Sequence, residues 1–496
     1  MRIRETVLGL CSAVLLSMPA AVNAYGQINV DQLSPASVYD AGMIRNGGLD
    51  SALWQGVSAV QATSLINNID TYATGSARKL TRAALLSGGV PPQAADGFER
   101  DAYVAARLSA VLALGNFSNF DALVNQSDIN RANPVYTKIF VERALLGADT
   151  QTACSITDNV IVARKSPYWA KLRAFCHVMR GEIPAAELTA DLLARSGHAD
   201  KTFFALLGKL TGTRPEIKLD SLDTPLQIAM AREILEIDDL NVKALPLAFT
   251  AAAALDIGQD PADRRAALLA SAHLLDAQQI RAALVGFLDT PPELAEILAQ
   301  ADKQGQLMAF ADALGAEIMT IPLQDQANLN ATIFARVAVL RNDKATLRGL
   351  FQALEVDDPL RGRIALASDA LNNGFMLGEL GADIETRLTG ESTEQTRAVR
   401  DAFIAVAMGA NLSSDAEAVL GTIKLQGRTL KPGELLALQA AARRGSKAEV
   451  ALRAAHMIDG EPLRADDFAA ILTTFVSVGM HEQAGRLAAL DILDVK

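Results

Sequence analysis

Serine, lysine, cysteine, histidine and carboxylate side chains can attack, move a proton or hold a metal, and few of them stand at working distances along this chain. Ser76-Ala77-Arg78-Lys79 sets a lysine one helical turn after a serine, where an amine can take the proton of a nucleophilic hydroxyl. The K-T-G element that should accompany such a pair is spoiled in Lys209-Leu210-Thr211-Gly212, and two fixed positions in four recur by chance, so the pair is read as coincidence. Gly421 to Gly427, followed by Arg428-Thr429, imitates a phosphate loop. It has five residues between its glycines instead of four, an arginine in place of the lysine, and no strand before it. His177, His198, His273, His456 and His481 are scattered, and none has metal-ligand spacing. Asp357-Asp358-Pro359 and Asp466-Asp467 could bind cations, but adjacent acids before helices act more simply as caps. G-x-G-x-x-G and G-x-S-x-G are absent. The sequence nominates no catalytic, cofactor-binding or metal-ligating residue, and no cofactor.

Glu391-Ser392 has the order found in lytic transglycosylases of the periplasm, helical-superhelix enzymes whose protonated glutamic acid cleaves cell-wall glycan. Here Thr389 to Glu394 is a polar turn, and Gln395-Thr396-Arg397 follows where a glycine- and aromatic-rich cleft sequence belongs. A helix N-cap by Ser392 or Thr393 explains the segment more simply. A cell-wall glycan enzyme stays as the alternative function.

The cysteines depend on the compartment. Arg2 and Arg4 form a basic start, Val7 to Met18 is an apolar stretch too short to span a bilayer, and Val22-Asn23-Ala24 supplies a cleavage site. Residues 1–24 read as a signal peptide cut after Ala24, which leaves Tyr25 first; an uncut anchor is the competing reading. Cys11 lies inside the apolar stretch after Leu10, against a lipid anchor. With Arg2, Arg4 and Glu5 gone, 44 basic and 56 acidic residues remain, a net charge of −12. Cys154 and Cys176 are then the remaining cysteines, and an even pair in an exported chain suggests one disulfide; two separate buried thiols are the alternative.

The elements that would position these groups are helical. Half of the 496 residues are hydrophobic and only 5% aromatic, and the chain is too long for one ordinary core. Ala106-Leu108-Val111-Leu112 and Leu435-Leu436-Leu438-Ala441 carry the 3–4 spacing of amphipathic helices. Gly115, Gly147 and Gly181, then Gly305, Asn342, Gly374, Gly409, Gly445 and Gly479, each end one apolar segment and precede another. Within each of the two series the spacings run from 32 to 37 residues, while the middle, roughly 182–300, keeps the period badly. A period near 34–36 with two helices per unit predicts an all-α fold, an α-solenoid of tetratricopeptide-like hairpins; an irregular helical domain is the alternative. On that geometry Cys154 starts one helix, Cys176 ends the next, and a bridge staples neighbouring repeats. Residues 25–50 look like an irregular arm. The polar, proline-bearing stretch Thr213 to Pro225 suggests a boundary, giving an N-terminal helical domain at 51–215 and a C-terminal repeat domain at 216–496. The acidic balance argues against nucleic acid. The best later apolar run, Ala244 to Leu255, is too short for a membrane span.

Three blocks carry a resemblance. They are Leu53-Trp54-Gln55-Gly56, Arg82-Ala83-Ala84-Leu85-Leu86 leading to Pro91-Pro92, and Tyr168-Trp169-Ala170-Lys171-Leu172-Arg173-Ala174-Phe175-Cys176 leading to Gly181-Glu182. Over roughly residues 50–210 the chain resembles a group of uncharacterised exported proteins of alphaproteobacteria. The resemblance implies a periplasmic setting and no chemistry. The expected function is a periplasmic helical-repeat scaffold that binds another protein, as in a motility or secretion machine.

Overall fold

The computed structural model describes residues 37–494 with interruptions, the longer ones at 215–221, 235–264, 285–289 and 373–383. Residues 1–24, the first part of the expected arm, the Ala244–Leu255 run, His273, Gly374 and Glu391 lie outside the described residues.

The chain is all-α. The first helices are α1 (Ala59–Asn67), α2 (Gly75–Leu86), α3 (Gly97–Ala113), α4 (Phe117–Asn125), α5 (Pro134–Leu146), α6 (Thr150–Asp158), α7 (Pro167–Met179) and α8 (Ile183–Arg195). Then come α9 (Lys201–Leu210), α10 (Pro225–Ile234), α11 (Ala277–Ala283), α12 (Pro291–Lys303), α13 (Leu307–Ala313), α14 (Gly315–Thr320), α15 (Leu323–Arg341) and α16 (Lys344–Ala353). The last are α17 (Pro359–Leu371), α18 (Ser392–Ala407), α19 (Ser414–Thr422), α20 (Pro432–Arg444), α21 (Lys447–Ile458), α22 (Ala465–Ser477) and α23 (His481–Ile492). Among the described residues β-pairing is confined to two isolated bridges, Ser58 with Gln93 and Arg428 with Leu463.

Local chemistry sets the helix starts. Proline stands in the first turn of α5, α7, α12, α17 and α20, where its missing N–H costs nothing. Asn133, Asp200, Asp343 and Asp358 cap helices by accepting backbone N–H groups. Asp358 is thus a cap, as one reading of the acid pair had it. Asp467 accepts the Leu430 N–H at 3.0 Å, and Asp466 pairs with Arg464.

Several helix ends share one device. At Gly181, the N–H groups of Glu182 and Gly181 donate to the carbonyls of His177 and Val178, both at 2.8 Å. The same five-back and three-back pair closes the turns at Gly305, Asn342, Gly409, Gly445 and Gly479, each with positive φ. The turn expected at Gly147 is shifted by one residue. Gly147 has φ −82°, and Ala148 takes the left-handed position with φ 58°. Asp149 and Ala148 donate back to Ala144 and Leu145 at 2.9 and 3.2 Å. A Cβ is strained there, and glycine is not.

Consecutive helices pair as hairpins: α5 with α6, α7 with α8, α9 with α10, α15 with α16, α20 with α21, α22 with α23. Cys154 on α6 and Cys176 on α7 sit at disulfide distance, their Cα atoms 5.5 Å apart and 22 residues apart in sequence. They join two neighbouring hairpins, and closing a loop of that length is worth about 3 kcal/mol.

The packing also reaches far beyond chain neighbours. In a linear array each unit touches only the next. Here α23 packs on α15 and α17, α18 on α22, and α2 and α1 on α21. The 215/216 division expected from the sequence is crossed as well. Arg232 on α10 donates to the carbonyls of Leu145 and Leu146 at 3.2 and 2.9 Å. The link between the first and last helices is polar at its centre. Ala448 N–H donates to Leu53 O at 2.8 Å, and Gln483 Nε2 to Gly48 O at 3.2 Å. Lys447 pairs with Asp50. Glu449 has no exposed surface and accepts from Arg444 (2.6 Å), Arg453 (2.8 Å) and Gln61 (3.0 Å).

Two stability outcomes are expected. Ala148→Gly should stabilise the protein by about 1 kcal/mol, because it relieves a left-handed alanine at a helix end. Glu449→Ala should destabilise it by about 3 kcal/mol or more, because two arginines lose a buried carboxylate. Urea denaturation followed by circular dichroism reads both.

Candidate functional site

Helix α2 is apolar along much of its length yet carries Arg78, Lys79 and Arg82 in five positions. Leu80, Ala83, Ala84 and Leu85 are buried in the core, which draws the cations inward with them. Arg78 is buried and donates to Thr71 O at 3.1 Å and to Leu114 O. Burial, then Arg82, pushes its guanidinium down to about 9. Lys79 Nζ donates to Leu340 O at 2.7 Å, one of the free carbonyls at the C-terminal end of α15, where a cation is favoured.

Lys79 and Arg82 open into a cleft of about 720 Å³. Its other charged walls are Asp312 of α13, Arg341 at the end of α15, and Glu482 and Arg486 of α23. Burial and Arg486 hold the Lys79 ammonium down to about 7, against the pull of Asp312 and Glu482, with Arg82 adding to the depression. Burial also lowers Arg82, opposed by Asp312. Arg341 donates to Ala311 O at 2.9 Å and lies across Gly315, where a methyl group would overlap its guanidinium. Arg486 pairs with Glu482 at 2.5 Å. Two smaller cavities adjoin the cleft and share Met308 with it. One, of about 130 Å³, is lined by Arg78, Arg82 and Asp312. The other, of about 330 Å³, holds Ser76, Arg336, Arg400, Asp459 and Asp491.

A fourth cavity, of about 180 Å³, lies where α1 meets α21. Asp70, His456 and Asp459 share its wall with apolar Leu65, Ile69 and Leu452. Burial, and a hydrogen bond with the Asp70 carboxyl, raise the Asp459 pKa above the carboxylate range; the Gly460 N–H and His456 oppose this. A carboxyl held in this way can share or donate a proton.

The sequence motifs fall as follows. Ser76 and Lys79 lie one turn apart on α2 but line different cavities, with Lys79 engaged at Leu340. Lys209 and Gly212 end α9. Gly421 is inside α19, so Gly421 to Gly427 is no phosphate loop, and Arg428 donates to backbone carbonyls including Met457. His177 Nδ1 meets Glu182 at 2.5 Å across the α7–α8 turn. Among the described residues no group of three His, Cys, Asp or Glu side chains could hold a metal ion, and no helix is long and apolar enough to cross a membrane. The blocks that carry the resemblance are structural: Leu53, Trp54, Trp169 and Phe175 are core, and Trp54 meets Tyr103 edge to face. Comparison with protein-family models, curated proteins and solved structures returns no match.

The cleft draws on α2, α13, α15 and α23, so no local motif announces it. The available signal was three cations within an Ala- and Leu-rich helix.

Asp459→Asn should remove the strain of a carboxylate facing Asp70. A carboxyl with a raised folded pKa costs nothing while it is protonated in both states, and the cost builds as pH rises past its unfolded value. The variant should therefore match the wild type below about pH 4 and be the more stable at pH 7. Thermal unfolding across that range checks it.

Proposed function

We propose that the chain is an exported, periplasmic helical-repeat scaffold, built of tetratricopeptide-like hairpins, that binds another protein of the cell envelope. Motility and secretion machines use adaptors of this kind. The recurring hairpin turn supports the repeat part of the reading. The observation that carries protein binding is on α8: Leu188 and Leu192, four residues apart, are 61% and 59% exposed on one face. A hairpin tied to its neighbour by a disulfide has no internal reason to display two large apolar side chains together. Such a face suits a protein partner.

A photo-crosslinking side chain placed at Leu188 in the native cell should give a discrete adduct with one envelope protein. Leu192→Asp should abolish that adduct. The exposed polar position Gln126 should give none. No adduct at Leu188, or the same adduct from Gln126, counts against this reading.

A further inference from the structure

We propose that the cleft between α2, α13, α15 and α23 binds the phosphate group of a small organic phosphate, held by Lys79, Arg82 and Arg486. Four cationic side chains, with Arg341 the fourth, face two acidic ones, Asp312 and Glu482, across this space. With Lys79 charged, the excess of two positive charges matches a phosphate monoester, which approaches a dianion at neutral pH.

The donors are in place and unspent. Among the described residues no hydrogen bond or ion pair ties up Arg82, although it is partly buried. Arg486 is 8% exposed and lines the cleft; one outer nitrogen holds Glu482, and among the described residues no hydrogen bond ties up the other. Lys79 uses one donor on Leu340 O and has two more. Unmet donors converging on one space are costly to leave, and a tetrahedral oxyanion satisfies several at once. The three cations come from two helices far apart in sequence, and two of them are anchored. Lys79 is fixed by a helix-end carbonyl and Arg486 by Glu482, while Arg82 stands one turn from Lys79 on the same helix. At about 720 Å³ the cleft exceeds a phosphate ion, and Ile44, Ala83, Met308 and Leu340 offer apolar wall to an organic body.

The Lys79 ammonium, held down to about 7 by burial, Arg486 and Arg82 against Asp312 and Glu482, supplies a signature. A dianion beside it favours the charged form, so binding slightly above pH 7 takes up a proton. This site stands independently of the scaffold reading.

Titration calorimetry on the purified chain tests the proposal with inorganic phosphate, glycerol 3-phosphate and succinate as probes. Both phosphates should saturate one site, glycerol 3-phosphate the more tightly, with succinate weaker by about tenfold. Repeating the titration in buffers of different ionisation enthalpy should show proton uptake. Arg82→Gln should weaken phosphate binding by about tenfold. Glu482→Gln removes an acid from the cleft and should tighten it, a second variant with the opposite sign. The proposal is overturned if neither phosphate saturates, if Arg82→Gln or Glu482→Gln leaves affinity unchanged, or if succinate binds as tightly as the phosphates. Inorganic phosphate binding as well as glycerol 3-phosphate would overturn the assignment to an organic ligand.

Discussion

A carboxylate with no exposed surface holds the two ends of this fold together. Glu449 sits where α1, α20 and α21 meet, and Arg444, Arg453 and Gln61 surround it. The rest of the arrangement depends on that junction. If Gln61 and Leu53 stay on α21, then α2 lies against α21 and turns Lys79 and Arg82 towards α13, α15 and α23. The main cleft is a consequence of closing the chain end to end. The carboxyl pair of Asp70 and Asp459 follows from the same contact, since one acid comes from just beyond α1 and the other from the end of α21.

Charge in this protein is concentrated where helices from distant segments converge. Many of its exposed ion pairs are i,i+4 or helix-end contacts worth little individually, such as Arg195 with Asp191. Buried or half-buried pairs have another character. Arg400 grips Asp491 through two bonds of 2.6 Å, and Arg387 neutralises the buried Asp401, whose pKa burial still raises. These fix how α18 meets α23 and its own approach, because a misplaced helix would strand a charge in a dry interior. Lys79, Arg82 and Arg486 differ in kind, since their surroundings leave donors open towards one space.

What could be seen from sequence alone follows from range. The helices and their turns are local, and glycine at a left-handed helix end announces itself at 181, 305, 409, 445 and 479. The Cys154–Cys176 pair was accessible for the same reason, because antiparallel neighbours bring positions 22 residues apart together. Ala148 was not accessible, since an alanine at positive φ has no signature. Lys447 and Glu449 read as ordinary polar residues following the Gly445 turn, and nothing nearby reveals that Asp50, Leu53 and Gln61 cover them. The cleft was hidden in the same way, with walls at 79, 82, 312, 341 and 486. Its only local trace was a helix with too many cations for its apolar face.

The end-to-end closure also sets the order in which the protein can be finished. Gln61 meets Glu449 across 388 positions, and Gly48 meets Gln483 across 435. A chain emerging from its N-terminus exposes Leu53, Trp54 and α2 long before α21 exists to receive them. Hairpins in the middle can form as they appear, since their partners are adjacent. Helix α1 can pack on α3 as soon as that forms, but α2, whose main partner is α21, must wait with apolar surface uncovered until α21 arrives. Contacts of such separation fold slowly, because a long loop must close before they repay its entropy. For this molecule, completion waits for α21, and the interval before it is when a chaperone would have something to hold.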